Sequence, residues 1–251
     1  MTSNARSDRT PPGDTRGSGF DRLAGVYRLL EYLAFGPLLD RARRAHLDAL
    51  RSASRVLVVG DGDGRCVAHL ASIAPQAVIH CIDTSPAMLA AARRRIPADD
   101  HVRITFELAD VRRFKVSADS WDAVLTMFVL DCLSEDDTRE VIERLAAGLR
   151  PGGMWLWADF AEPGKGWQRL WGRLTIRCLY TFFRWTTGLE VRALPPAEQL
   201  LADIGLIAAD ERQWLAGLVR SVRYQRPEGV ELGAATARTR VDGCRSGQLG
   251  C

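Results

Sequence analysis

Through most of the chain, short unbroken apolar runs alternate with apolar residues at helical spacing. Arg55–Val59 reads Arg-Val-Leu-Val-Val, which predicts a central strand buried on both faces, as parallel sheets require. A loop over 60–64 follows, then a helix over 66–74. The same rhythm predicts strands over 77–82, 102–108, 121–127 and 154–160, and helices over 86–95 and 135–149, with a turn at Arg150-Pro-Gly-Gly153. Ahead of the first strand, Leu23, Val26, Tyr27, Leu30 and Leu33, then Leu38, Leu39, Leu47 and Leu50 fit two helices broken near Gly36-Pro37. After position 160 the rhythm changes. Residues 167–187 form an aromatic and arginine-rich helical stretch, 196–204 a helix, and 207–223 two further strands around Leu215-Ala-Gly217.

Strands alternating with helices at this interval predict a doubly wound α/β fold with a mostly parallel sheet. It carries an N-terminal helical cap and a helical insertion after the fifth strand. Residues 1–18 are rich in Ser, Thr, Pro, Gly and Arg, and residues 227–251 hold little to bury, so both ends are expected to be disordered. Residues 19–226 then make one domain.

Composition narrows the function classes. The 34 basic and 31 acidic residues leave a formal charge of +3, too balanced for nucleic acid to be the expected partner. No signal-like segment opens the chain, and no apolar run approaches the roughly 18 residues of a membrane span, so a cytoplasmic protein is expected. The six cysteines lack CxxC pairs and zinc spacing, and no metal is expected.

The sharpest chemical feature is Gly60-Asp61-Gly62-Asp63-Gly64, between a buried strand and a helix. Glycines there let the backbone turn tightly and approach a ligand, and the helix N-terminus behind them offers free N–H groups. A dinucleotide site would want G-x-G-x-x-G, but Arg65 stands at the last position, and no Lys-Ser/Thr follows for a phosphate loop. Asp83, about 20 residues past the loop at the tip of the second strand, is placed to accept both ribose hydroxyls. Thr84 or Ser85 would serve better than Asp83 as the cap before Pro86. Asp110 beside Val111 suits reading an adenine edge, although an Asp at a strand end is often a turn former.

Together these positions resemble the class I S-adenosylmethionine-dependent methyltransferases, over roughly 20–223. Val56–Gly64 looks like that family's first motif, Asp83 its ribose-binding acid, Asp110-Val111 its adenine pair, Trp121–Met127 its fourth-strand motif and Leu149–Met154 its turn before strand five. Phe20–Tyr27 resembles the opening helix of the quinone-biosynthesis branch. The resemblance implies a seven-stranded, Rossmann-like methyltransferase fold and S-adenosylmethionine as cofactor. It implies cofactor contacts from the loop, Asp83, Thr84, Met88, Asp110, Val111, Thr126 and Met127. The family's first strand usually carries an acid where Val58 stands, and Asp61 is the expected substitute for holding the methionine end.

Methyl transfer from a sulfonium needs a donor and an acceptor held in line, and a base only where the acceptor must lose a proton. Catalytic candidates near the methyl group are Asp159 at the end of the fifth strand, Asp131, which could orient an amine or accept a proton, and Tyr27 from the N-terminal helix. Phe128, with Trp167, Trp171 and Tyr180 from the insertion, is expected to line an apolar pocket for a small lipophilic or aromatic acceptor. Packing on the sheet or a second subunit, making a homodimer, is the plainer reading of that insertion, and a membrane-surface helix is a third. A non-catalytic protein of this fold, or another S-adenosylmethionine reaction such as cyclisation or lyase chemistry, are the alternative functions.

Overall fold

The computed structural model describes residues 37–161 and 194–229. Seven strands form one sheet in the order β3-β2-β1-β4-β5-β7-β6. They are β1 Arg55–Val59, β2 Val78–Asp83, β3 Ile104–Leu108, β4 Trp121–Met127, β5 Leu149–Phe160, β6 Ile207–Trp214 and β7 Val219–Gln225. Pairing is parallel from β3 through β5, and β7 runs antiparallel between β5 and β6. The helices are α1 Pro37–Arg44, α2 Arg65–Ile73, α3 Pro86–Arg95, α4 Glu135–Gly148 and α5 Ala197–Asp203.

The apolar runs of the central strands become two cores, one on each face. Val56, Val58, Ile79, Cys81, Leu125, Met127 and Leu156 pack with Leu70 of α2 and Leu89 of α3. Leu57, Val59, Val124, Trp155 and Trp157 pack with Ile142 and Leu145 of α4 and Leu201 of α5. Alternate residues of a strand point to opposite faces, so a strand covered twice is apolar at most of its positions. β4 is buried at all seven positions. Each fully buried aliphatic side chain contributes about 1.5–3 kcal/mol relative to exposure, which makes β1 and β4 the rigid centre from which the functional loops emerge.

Several element boundaries shift from the sequence reading, three of them with a visible local cause. β5 begins at Leu149, because the turn at Gly152 and Gly153 is drawn into the sheet by hydrogen bonds of 3.0 and 2.9 Å with the backbone of Arg226. Val102 closes a 3-10 turn over Ala98–Val102 and β3 starts at Ile104. The helix expected to reach Leu50 ends at Arg44, and a separate 3-10 turn covers Leu47–Leu50. Between them, buried His46 places Nε2 3.0 Å from the Ser221 carbonyl of β7 and Nδ1 3.3 Å from Asp210 of β6. That anchor holds the end of α1 against the antiparallel corner of the sheet. The first helix of the N-terminal cap, the 167–187 insertion and the terminal segments 1–18 and 230–251 lie outside the described residues.

Candidate cofactor site at the switch point

The chain leaves β1 outward to β2 and β3, then returns to β4 on the other side. Such a reversal opens a crevice at the carboxyl ends of the two diverging strands. The glycine loop follows β1 and Phe128 follows β4, so the sharpest sequence motif stands at this crevice. Gly60, Gly62 and Gly64 all have positive φ, at 73°, 68° and 85°, a region that side chains with a Cβ enter at a cost.

The three glycines face different surroundings. A Cβ on Gly60 would run into Val129 beyond β4, and one on Gly64 would stand 2.5 Å from the Cα of Ala92 in α3. One on Gly62 would meet nothing within 4 Å. The outer two positions let the loop pack closely on its neighbours, while the middle one turns bare backbone toward open space.

Both loop carboxylates are engaged. Asp61 is buried, and its two oxygens accept the N–H groups of Cys66 and Val67 at 3.0 and 2.8 Å. It thus closes the first turn of α2, where such donors lack intrahelical partners. Burial pushes its carboxyl up to about 7, against the lowering pull of these amides and of the Arg43 charge. Asp63 is paired with Arg65 at 3.1 Å and Arg95 at 2.8 Å.

Asp83 ends β2 beside the loop. Its carboxylate accepts the Ser85 N–H at 2.8 Å. Burial raises its carboxyl, while amide donors from Ser85, Gly62 and Thr84 pull it back down. The Gly62 contact joins two motifs that are separate in the sequence. Ser85 is the cap of α3, accepting from the Met88 N–H at 3.3 Å. Thr84 is exposed and Met88 half-buried at the same edge. Asp110 lies at the third strand tip, where its carboxylate is gripped by Arg112 at 2.6 Å and held below its usual range by that contact. Val111 is buried under α4. Thr126 and Met127 are buried within β4, and the Thr126 hydroxyl accepts the Trp155 indole N–H at 2.9 Å.

Past β4 the chain turns sharply, with Phe128 at φ 58° and its N–H donated to the Ala158 carbonyl at 2.7 Å. The turn brings Asp131 against Asp159 at the end of β5. Both side chains are buried and within hydrogen-bonding reach of each other. Trp157 donates its indole N–H to Asp159 Oδ2 at 2.7 Å, while Oδ1 is sealed from solvent without a conventional donor. Burial, then the neighbouring Asp131 charge, pushes the Asp159 carboxyl well up. Burial also raises Asp131. Two carboxylates this close do not both ionise readily, which favours one proton held between them. Phe128 and Phe160 form an edge-to-face pair at 5.5 Å beside them. Leu38 and Trp214 belong to the same apolar cluster. Tyr27, Trp167, Trp171 and Tyr180 lie outside the described residues.

Sequence reading missed Arg43. It stands on α1, its guanidinium 4.8 Å from the Phe128 ring centre, and its charge acts on both Asp61 and Asp131. Among so many arginines, only the packing of α1 across the strand ends singles it out.

Residues 56–153 match a family described as a methyltransferase domain. The chain is 33% identical over 162 residues to the ubiquinone/menaquinone biosynthesis C-methyltransferase UbiE of Syntrophotalea carbinolica, covering 62% of this chain and 65% of that protein. It is 35% identical over 128 residues to the trans-aconitate 2-methyltransferase of Methylobacterium nodulans, covering 49% and 45%. It thus spans less than two thirds of the length of either relative. An O-methyltransferase family protein from Burkholderia thailandensis has the same fold, with a TM-score of 0.64 at 21% identity over 86% of this chain and 63% of that one. So does the N-methyltransferase NodS of Bradyrhizobium japonicum, solved with S-adenosylhomocysteine, with a TM-score of 0.55 at 20% identity over 76% and 88%. Residues 56–153 are thus similar to a methyltransferase domain, and the fold around them is shared with solved methyltransferases.

Proposed function

We propose that this protein binds S-adenosylmethionine in the crevice between β1 and β4 and transfers its methyl group to a small lipophilic or aromatic acceptor. The observation that carries the reading is the Gly62 turn. It presents bare backbone to open space at the switch point, and its N–H reaches Asp83 at the tip of β2. In this reading Asp83 accepts the ribose hydroxyls, and Asp110 with Val111 flanks the adenine. The loop backbone, with Thr84 and Met88 at its edge, shapes the rest of the cavity.

The bound sulfonium supplies a methyl group already activated for displacement, so the protein's work is alignment and exclusion of water. Phe128 and Phe160 offer an apolar wall at the ends of β4 and β5, which suits a flat or greasy acceptor. The bond from sulfur to methyl breaks as the bond from acceptor to methyl forms, leaving S-adenosylhomocysteine. Where the acceptor carries a proton, the ionised member of the Asp131–Asp159 pair takes it. Such a pair, with its affinity for protons raised by burial, is a stronger base than a free carboxylate.

A second reading keeps the cofactor and changes the reaction. Relatives of this chain include the carboxy-S-adenosyl-L-methionine synthase of Geobacter metallireducens and the aclacinomycin 10-hydroxylase RdmB of Streptomyces purpurascens, at 32% and 31% identity. Mass spectrometry with S-adenosylmethionine carrying a deuterated methyl group separates the readings, using a panel of phenols, quinols and carboxylic acids. Methyl transfer yields S-adenosylhomocysteine together with an acceptor bearing the label. Cofactor consumed without S-adenosylhomocysteine contradicts it.

A further inference from the structure

We infer that the groove between α1 and β6 binds a phosphate monoester through the guanidinium groups of Arg41, Arg44 and Arg212. The groove lies apart from the cofactor crevice, and the inference does not depend on the proposed methyl transfer.

The two walls of the groove are held in place from below. Leu39 and Ala42 bury one stripe of α1 against Val219 of β7, and His46, just past the helix, binds the Ser221 carbonyl. On β6, Asp210, Arg212 and Trp214 are spaced two residues apart and share one face of the strand. Asp210 reaches His46 at 3.3 Å, and Trp214 packs on the cluster of Leu39, Ala42 and Val219. Both ends of that face are thus fixed on the α1 side. Arg212 stands between them, opposite the small Ser221 in the ladder.

Across from it, Arg41 and Arg44 are three residues apart and neighbours on the helix surface. The three arginines, with Asp40 and Trp214, line an open groove of about 790 Å³, a size common among small-molecule sites. Arg43 points elsewhere. Two residues along a helix turn it about 200° from Arg41, and its ring contact is with Phe128. The groove and the β1–β4 crevice therefore lie on opposite flanks of α1.

The charge in the groove is unbalanced. Its carboxylate, Asp40, is held by Arg44 Nε at 3.2 Å. Among the described residues neither Arg41 nor Arg212 has an acidic partner, since Asp210 is turned to His46. Three guanidinium groups against one carboxylate leave a surplus of two positive charges. A phosphate monoester carries about 1.5 to 2 negative charges near neutral pH on three acceptor oxygens, which matches that surplus. Guanidinium forks pair bidentately with such oxygens. Trp214, half-buried at the end of the groove, gives the organic part of the ester an apolar surface.

The test is calorimetric titration of the full chain with phenyl phosphate, and with phenol as its uncharged counterpart. Wild type should bind phenyl phosphate at one site with a dissociation constant below about 1 mM, and phenol about tenfold more weakly or less. Arg41→Gln on the helix and Arg212→Gln on the strand should each weaken phenyl phosphate about fivefold or more, as suits charge-assisted bonds at an exposed site. Arg94→Gln removes the same charge from α3, beside β2 and β3 at the other end of the sheet, and should change affinity by less than about twofold. Saturating S-adenosylhomocysteine should leave phenyl phosphate binding unchanged. Co-sedimentation with phosphatidylcholine vesicles, with and without phosphatidic acid, identifies the source of the phosphate. Pelleting that needs both phosphatidic acid and Arg212 assigns a lipid headgroup; any other result there, with phenyl phosphate bound, assigns a soluble ester. The site is overturned if wild type does not bind phenyl phosphate, if phenol binds as well, if affinity is indifferent to Arg41 and Arg212 or falls equally with Arg94→Gln, or if S-adenosylhomocysteine competes.

Discussion

The Trp157 indole and the Asp159 carboxylate, two residues apart on β5, point to the same face of the sheet and meet at 2.7 Å. Through this contact a buried aromatic fixes the carboxylate that faces Asp131, at the strand end where the acceptor is proposed to bind. The cost of that arrangement is a pair of acids in a place with little solvent. Asp159 is 1% exposed and Asp131 7%.

That cost depends on pH. The folded-state value of Asp159 is raised, so between its unfolded value of about 3.9 and the raised value the folded protein binds more protons than the unfolded one. Stability therefore falls as pH rises through this window. Asp159→Asn keeps an oxygen for the Trp157 donor and offers an N–H to Asp131 without the charge. Thermal unfolding should show the variant more stable than wild type by on the order of 1 kcal/mol near pH 8, with the gain shrinking towards about pH 5. A gain that grows on acidification contradicts the shared-proton pair.

Burial raises the Asp61 carboxyl too, but its two oxygens close α2 by accepting two buried amides. Asp61→Ala leaves those N–H groups without acceptors and should lower stability by about 2 kcal/mol in urea unfolding. A change below about 0.5 kcal/mol, the ordinary scatter of surface substitutions, would show that the cap matters little.

The loop glycines should separate under the same substitution. Gly64→Ala must push its Cβ against the backbone of α3 and should destabilise strongly, by about 3 kcal/mol or more once strain and overpacking combine. Gly62→Ala meets only the strain of positive φ, about 1–2 kcal/mol, yet places a methyl group where the ligand is proposed to lie. Calorimetry should find the Gly62 variant folded and weakened for S-adenosylhomocysteine. Unchanged affinity would remove Gly62 from the binding surface.

How much of this was legible in sequence follows from the range of each interaction. The strands of the sheet announce themselves because both faces are covered, so burial appears as unbroken apolar runs at Val56–Val59 and Ala123–Leu125. The glycine loop and Asp83 are legible because tight turns and strand tips restrict residue type locally. Contacts between distant segments are not. Asp131 and Asp159 each read as an acid at a strand end, and only the Phe128 turn brings them together. Arg43 is one of four arginines between 41 and 51, with nothing local to mark it. Asp61 looked free to anchor a ligand, since no pattern in the loop shows its oxygens turned towards the amides of Cys66 and Val67.

The central claim is that S-adenosylmethionine chemistry sits at the β1–β4 crevice, and calorimetric titration of the full chain with S-adenosylhomocysteine tests it most directly. The account predicts saturable binding at one site per chain. Asp83→Ala should weaken it about tenfold or more, as expected for loss of a carboxylate that accepts ribose hydroxyls. No binding by the wild-type protein, or binding indifferent to Asp83, would contradict the account.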